Sequence, residues 1–310
     1  MTAAAQPIAY AGSGTRAQRR NRRILLHAFL IGICLLWLFP LVWAVYTSLR
    51  PYADTAEFGY VSIGGRYNFD NFLTAWTNAQ LPMFYLNTFL VVIPAMIIVI
   101  LLASMVAFAV SRFSWRFNLA LLMLFTAGNL LPQQVIITPL YRMFLLLPLP
   151  NLITLPGYGG FPSENGIFYD QYFGIIAIHV AFQLGFCTFV LSNFMKTIPK
   201  ELTEAALADG AGVFRLWWNV ILPLCRPALA ALATLEFTWI YNDFFWALLL
   251  MRTGNKMPIT TALSNLGGQF FTDNNLVAAG ALLVAMPTLV VYFLLQRQFI
   301  SGLTLGSTKG

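Results

Sequence analysis

Residues 204–223, EAALADGAGVFRLWWNVILP, decide how the chain is read. They form its most polar interior stretch, with long apolar segments on both sides. Leu202, Ala205, Ala206 and Asp209 fall at helical spacing, so a short helix leads in. Alanine at two of these positions lets another backbone approach closely, and Leu202 supplies an anchor. Gly210 ends the helix, where a left-handed or tight turn is needed. Pro223 and Pro227 bound the start of the next apolar segment, where a missing backbone donor is tolerated. An ordinary loop with one helical turn is the plainer alternative.

The surroundings of this stretch are those of a membrane protein. Mean hydropathy is +0.72. Hydrophobic residues make up 59% and charged residues 9%, against about 25% charged in average soluble chains. Aromatics reach 15%, with 8 Trp and 12 Tyr, which suits interfacial belts. A net charge of +7 in a soluble chain would suggest nucleic acid. Here the Lys and Arg sit mainly in loops, so the charge reports topology and nucleic acid is no partner. Cys34, Cys187 and Cys225 lack metal-like spacing and read as packing residues.

A spanning helix needs about 20 mostly apolar residues. Six segments qualify: 24–49, 84–110, 117–141, 172–195, 227–251 and 276–296. The first has charged flanks and no small-residue cleavage site, so it reads as a retained span. The expected architecture is an all-α membrane protein of six spans, residues 24–298, with a loop at 196–223. Tails 1–23 and 299–310 flank it.

Orientation follows from the 18 Lys and Arg. With the N-terminus in the cytoplasm, only Arg50, Arg66, Arg142, Arg252 and Lys256 fall outside, and the other thirteen fall inside. The positive-inside rule therefore puts both termini and the Glu204 loop in the cytoplasm. The outer segments are longer, and within the first, NFDNFLTAW (68–76) looks like a short amphipathic interfacial helix. The N-terminal Arg cluster reads as a topogenic signal, with anionic lipid binding as the alternative.

Several chemistries are excluded. No G-x-x-x-x-G-K-[ST] or Gly-Lys dipeptide occurs, so the chain has no phosphate-cradling loop and does not hydrolyse ATP itself. H-E-x-x-H and G-x-S-x-G are also absent. His27 and His179 each stand alone and read as interfacial or satisfied residues. No catalytic group or metal site is expected.

Four motifs now point to a family. The pattern of Glu204, Ala205, Ala206, Gly210, Val220, Leu222 and Pro223 resembles the cytoplasmic EAA loop of ABC importer permeases, with Val220 where Ile is usual. LPQQVIITPLY (131–141) before it, and YNDFFWALLL (241–250) and SGLTLGSTKG (301–310) after it, keep the family's order, with Tyr241 for Trp and Ala247 for Pro. From residue 87 to 310 the chain resembles the second permease subunit of carbohydrate ABC importers of the maltose-transporter type. The outer loop 148–170 is longer than the family norm.

The resemblance implies a MetI-like permease fold in the cell (inner) membrane. It implies that Glu204, Ala205, Ala206, Asp209, Gly210, Leu222 and Pro223 couple to a separate ATPase through a coupling helix. Gly302, Leu303, Thr304 and Lys309 then contact the ATPase through an extended tail. Implied partners are a homologous second permease, two ATPase subunits, an extracytoplasmic solute-binding protein and a sugar. No cofactor is bound by this chain; ATP and Mg belong to the ATPase subunits.

The fifth span carries the pathway signal. Glu236 and Asp243 are acids seven residues apart in an apolar run, so they project from nearly one face. Trp239 and Trp246 share that side, and Asn242 stands beside Asp243 in the family motif. An acid on a lipid face is costly, about 2.5–3.5 kcal/mol on insertion scales, so these residues are expected to face a watery cavity. Acids with flat aromatics suit a polyhydroxylated ligand. Structural bonds to backbone or neighbouring helices are the alternative. Other readings are a sugar-phosphate importer, which a midplane Lys or Arg would favour, and an ion-coupled transporter relaying through Glu236, which inverted repeats would support.

Overall fold

The computed structural model describes residues 16–114, 116–128, 132–155, 159–161, 165–262, 266 and 272–304. Helix α1 (Arg16–Ser48) is followed by the short helices α2 (Tyr52–Phe58) and α3 (Asp70–Asn78) and by the long α4 (Leu81–Arg112). Then come α5 (Asn118–Gly128) and α6 (Gln133–Leu146), a two-stranded antiparallel hairpin of β1 (Ile153–Leu155) and β2 (Gly159–Phe161), and α7 (Tyr172–Thr197). The loop region holds α8 (Lys200–Ala208), α9 (Val213–Arg215), a π-helix over Leu216–Ile221 and α10 (Leu222–Leu224). The chain continues with α11 (Arg226–Tyr241), α12 (Phe245–Leu250), a 3₁₀ turn (Gly254–Lys256), α13 (Ile259–Ala262) and α14 (Asn274–Thr304).

Among the described residues, four helices are long and apolar enough to span alone: Arg20–Ser48, Leu81–Arg112, Tyr172–Thr197 and Asn274–Gln296. Two bent pairs raise the number to six, α5 with α6 at 93° and Val213–Leu224 with α11 at 78°. The third span, expected as one helix over 117–141, is therefore broken. Gly128 closes its first piece and Pro132, which has no N–H to donate, caps the second.

The fifth span is also not the single helix expected over 227–251, since α11 ends at Tyr241. Short polar side chains there compete with the backbone ladder. Asn242 Nδ2 donates to the Thr238 carbonyl at 2.8 Å. The Asp243 carboxylate accepts the N–H groups of Trp246 and Ala247 at 3.3 and 3.2 Å and so restarts the helix as α12. At the other end, α14 runs to Thr304, because good helix formers at Gln296–Gln298 carry it beyond its apolar run.

Packing centres on α4 against α7, with α11 and α14 alongside. One core cluster joins Val91, Val92 and Ala95 to Ile175, Ile178, Tyr241 and Trp246. The other joins Val99, Ala103 and Ala107 to Cys187, Leu191, Leu216 and Ile221. The alanines on α4 let α7 approach closely, which is how helices gain dispersion contacts in an apolar solvent. Much of α1 between Ile24 and Val42 is exposed apolar surface, suited to lipid or a neighbouring chain rather than water.

A proline explains one of the long-range bonds. Pro287 inside α14 has no N–H for the Leu283 carbonyl. Tyr85 Oη donates to that carbonyl at 2.5 Å, and Tyr241 Oη donates to the next one, Val284, at 2.8 Å. α4 and α11 are thereby pinned to α14 one turn before Pro287. A second clasp joins α1, α2, α3 and α14. Arg50 donates to Asp54 Oδ2 at 3.0 and 3.2 Å. The Arg50 carbonyl accepts from Asn71 and from Asn275, each at 2.7 Å.

Candidate functional site

The loop at 196–223 folds as a compact platform. Helix α8 is the short helix its spacing predicts. It ends on Gly210, whose φ of +79° lies in the left-handed region. Gly210 N–H reaches the Leu207 carbonyl and Ala211 N–H the Ala206 carbonyl, each at 3.0 Å. This bond pair is a Schellman closure, and glycine adopts its geometry without penalty.

The platform has two faces. Leu216, Trp217 and Ile221 of the π-helix are buried against α4 and α7. Leu202, Leu207, Phe214 and Trp218, in contrast, are 43%, 43%, 66% and 49% exposed. The Phe214 and Trp218 rings stack with centroids 6.4 Å apart. Glu204, Ala205, Asp209 and Gly210 are exposed beside them, and Ala206 is half-buried. Leu222 and Pro223 stand apart, half-buried on α10 beyond the π-helix. The platform is seated by Arg112 at the end of α4, which donates to the Met195 and Ile198 carbonyls at 2.7 and 3.1 Å.

The tail differs from the sequence expectation. Gly302, Leu303 and Thr304 are the last residues of α14 rather than an extended strand. Lys309 lies outside the described residues.

The second feature is an open cavity of about 340 Å³. It is lined by Gln133 from α6, His179, Phe182 and Gln183 from α7, Trp239 from α11, Asp243 from the break, and Trp246 from α12. The break brings the two indoles to α7, since Trp246 meets Phe182 at 5.4 Å and Trp239 meets Phe186 at 5.1 Å between ring centroids. Asp243 is fixed by the two N–H groups of α12, and its carbonyl accepts from Thr260 Oγ1 at 2.6 Å. His179 Nε2 stands 3.6 Å from Asp243 Oδ2.

Two expected pathway residues are elsewhere. Glu236 is fully buried rather than facing a cavity. Its Oε1 accepts from Cys187 Sγ at 3.1 Å, within the packed α7–α11 contact. The one-face argument for Glu236 and Asp243 fails because the helix stops between them. Asn242 is exposed and bonds back to Thr238. Sequence reasoning missed His179, Gln183 and Gln133. The legible signal was His179 and Gln183 at i and i+4, with Phe182 and Phe186 on the same stripe of an otherwise apolar helix.

Residues 99–301 match the family of binding-protein-dependent transport system inner membrane components. The chain belongs to that family: it is a multi-pass membrane transport subunit, not an enzyme. It is 30% identical over 280 residues to a probable ABC transporter permease protein of Pyrococcus horikoshii, covering 90% of this chain and 94% of the relative. It is 28% identical over 292 residues to the diacetylchitobiose uptake system permease protein NgcG of Streptomyces coelicolor, covering 94% and 90%. Its fold is similar to that of a chain in a crystal structure of a bacterial ABC transporter that imports the acidic polysaccharide alginate. That match has a TM-score of 0.75 at 20% identity and covers 93% of this chain and all of the other.

Proposed function

We propose that this chain is one permease half of an ABC importer for a sugar or oligosaccharide. The observation that carries the reading is the cavity at the α11–α12 break, where two indoles and four polar side chains converge inside a bundle of spans. Flat aromatic rings cover the C–H faces of a sugar ring, and the polar groups exchange hydrogen bonds with its hydroxyls. Trp239 and Asp243 are then pathway residues, with Trp246 lining the same cavity. Glu236 acts through packing.

In this reading a homologous permease completes the pore, and an extracytoplasmic binding protein delivers the sugar. Both termini lie in the cytoplasm. Two ATPase subunits dock on the α8 platform, where the apolar Leu202, Leu207, Phe214 and Trp218 and the acidic Glu204 and Asp209 are all exposed. Their closure pushes α8. The push reaches the cavity through the π-helix and α10, which bend directly into α11. The test is uptake of a labelled sugar panel by the assembled importer in proteoliposomes. ATP-dependent accumulation of a saccharide is expected; accumulation of none of the panel overturns the reading.

A further inference from the structure

Three polar side chains in the cavity have no hydrogen-bond partner among the described residues: Gln133, His179 and Gln183. His179 is 5% exposed, and its 3.6 Å approach to Asp243 is longer than a hydrogen bond. Buried polar groups are normally satisfied, so a buried imidazole with no hydrogen bond, set in a cavity it shares with the half-buried Gln183 and the exposed Gln133, marks a place for a ligand or water. His179 and Gln183 are one helical turn apart and line the cavity together. Asp243 opposes them with its carboxylate fixed by backbone N–H groups, so it stays in place when a ligand arrives.

The charge pattern limits what that ligand is. No Lys or Arg lines the cavity among the described residues, and its one ionisable acid is Asp243. An acidic saccharide would set its carboxylate near Asp243 in a low-dielectric site with no Lys or Arg in the lining to balance the pair. A hydroxyl, in contrast, donates to Asp243 and accepts from the Gln183 amide. Trp239, 43% exposed, offers a face for the ring.

We infer that His179 and Gln183 on α7, with Gln133 on α6, are specificity-determining contacts for a neutral, hydroxyl-rich saccharide opposite Asp243. The inference rests on the sugar-import reading. It sets the charge class of the cargo apart from the acidic polysaccharide handled by the solved structural relative.

The test uses the whole importer in proteoliposomes with saturating binding protein. The probes are a neutral disaccharide imported by the wild type and its uronate counterpart. His179→Ala and Gln183→Ala are each expected to cut neutral-sugar uptake at least tenfold, with the complex assembled and ATPase subunits bound. His179→Gln, which keeps a donor and an acceptor, restores uptake to within threefold. Gln183→Lys raises the uronate-to-neutral uptake ratio at least tenfold. Wild-type uptake in both alanine variants, an unrescued His179→Gln, or an unchanged ratio in Gln183→Lys overturns the assignment while leaving sugar import standing. A wild-type importer that moves no saccharide sinks the broader reading instead.

Discussion

Gly210 allows the coupling argument to be worked through in numbers. Its φ is +79°, and a Cβ built there meets nothing within 4 Å. The penalty for another residue is therefore conformational, with no clash inside this chain. A left-handed L-residue costs about 1–2 kcal/mol, and Asn pays least because its side chain bonds locally. At 1.4 kcal/mol per tenfold, Gly210→Leu at about 2 kcal/mol lowers the closed turn about thirtyfold relative to its open forms. Gly210→Asn, of similar bulk, falls within a few-fold. The penalty is confined to the end of α8, so membrane insertion and the bundle persist. The assay is ATPase affinity for purified permease complexes, with uptake in parallel. Docking should weaken steeply in Gly210→Leu and little in Gly210→Asn. Equal loss in both would show that bulk at the interface, not backbone geometry, sets the effect. Full docking by Gly210→Leu would remove the turn from the mechanism.

Other outcomes follow from single contacts. Asp54→Ala deprives Arg50, 1% exposed, of its carboxylate, and a buried charge losing its partner costs about 3–5 kcal/mol; Arg50 keeps its bond to the Ser62 carbonyl, so a loss near the low end should appear as a lower Tm of the purified complex. Cys187→Ala removes the donor to the fully buried Glu236, leaving an unsatisfied group worth about 1–3 kcal/mol; thermal stability should fall, and Glu236→Leu in the same chain should recover most of it. In a Cys-free background, Glu57→Cys should react with an impermeant maleimide on intact cells and Lys200→Cys should not, both positions being exposed; the reverse pattern would invert the topology.

The elements with long periodic or apolar runs were legible from the sequence. The positions of four spans and of α8 with its Gly210 stop follow from hydropathy and glycine chemistry. The breaks were harder to see, because apolar runs continue through them. Residues 227–251 look like one span, and only Asn242 and Asp243 betray the gap. A long hydropathy window dilutes two such residues among apolar neighbours, although their side chains redirect backbone hydrogen bonds. That gap misplaced the candidate site. Reading the run as one helix put Glu236 beside Asp243, whereas Asp243 is bonded to α12 and Thr260 and faces His179 of α7. His179 read as solitary because the polar residues that share its cavity are remote in sequence, Asp243 lying 64 positions on and Gln133 on another helix. Long-range pairing of single polar residues leaves no periodic trace. The Arg50 clasp escaped for the same reason.

The central claim is that a saccharide passes through the cavity between α6, α7 and the α11–α12 break. The most direct measurement is photocrosslinking of the assembled importer, captured during turnover, with a diazirine-bearing analogue of its transported sugar, followed by peptide mapping. The account predicts label on peptides spanning Tyr172–Thr197 and Arg226–Leu250, lost when unlabelled sugar is in excess and reduced by Trp239→Ala. Specific, competable label confined to other segments of this chain, or to the partner permease alone, would contradict it.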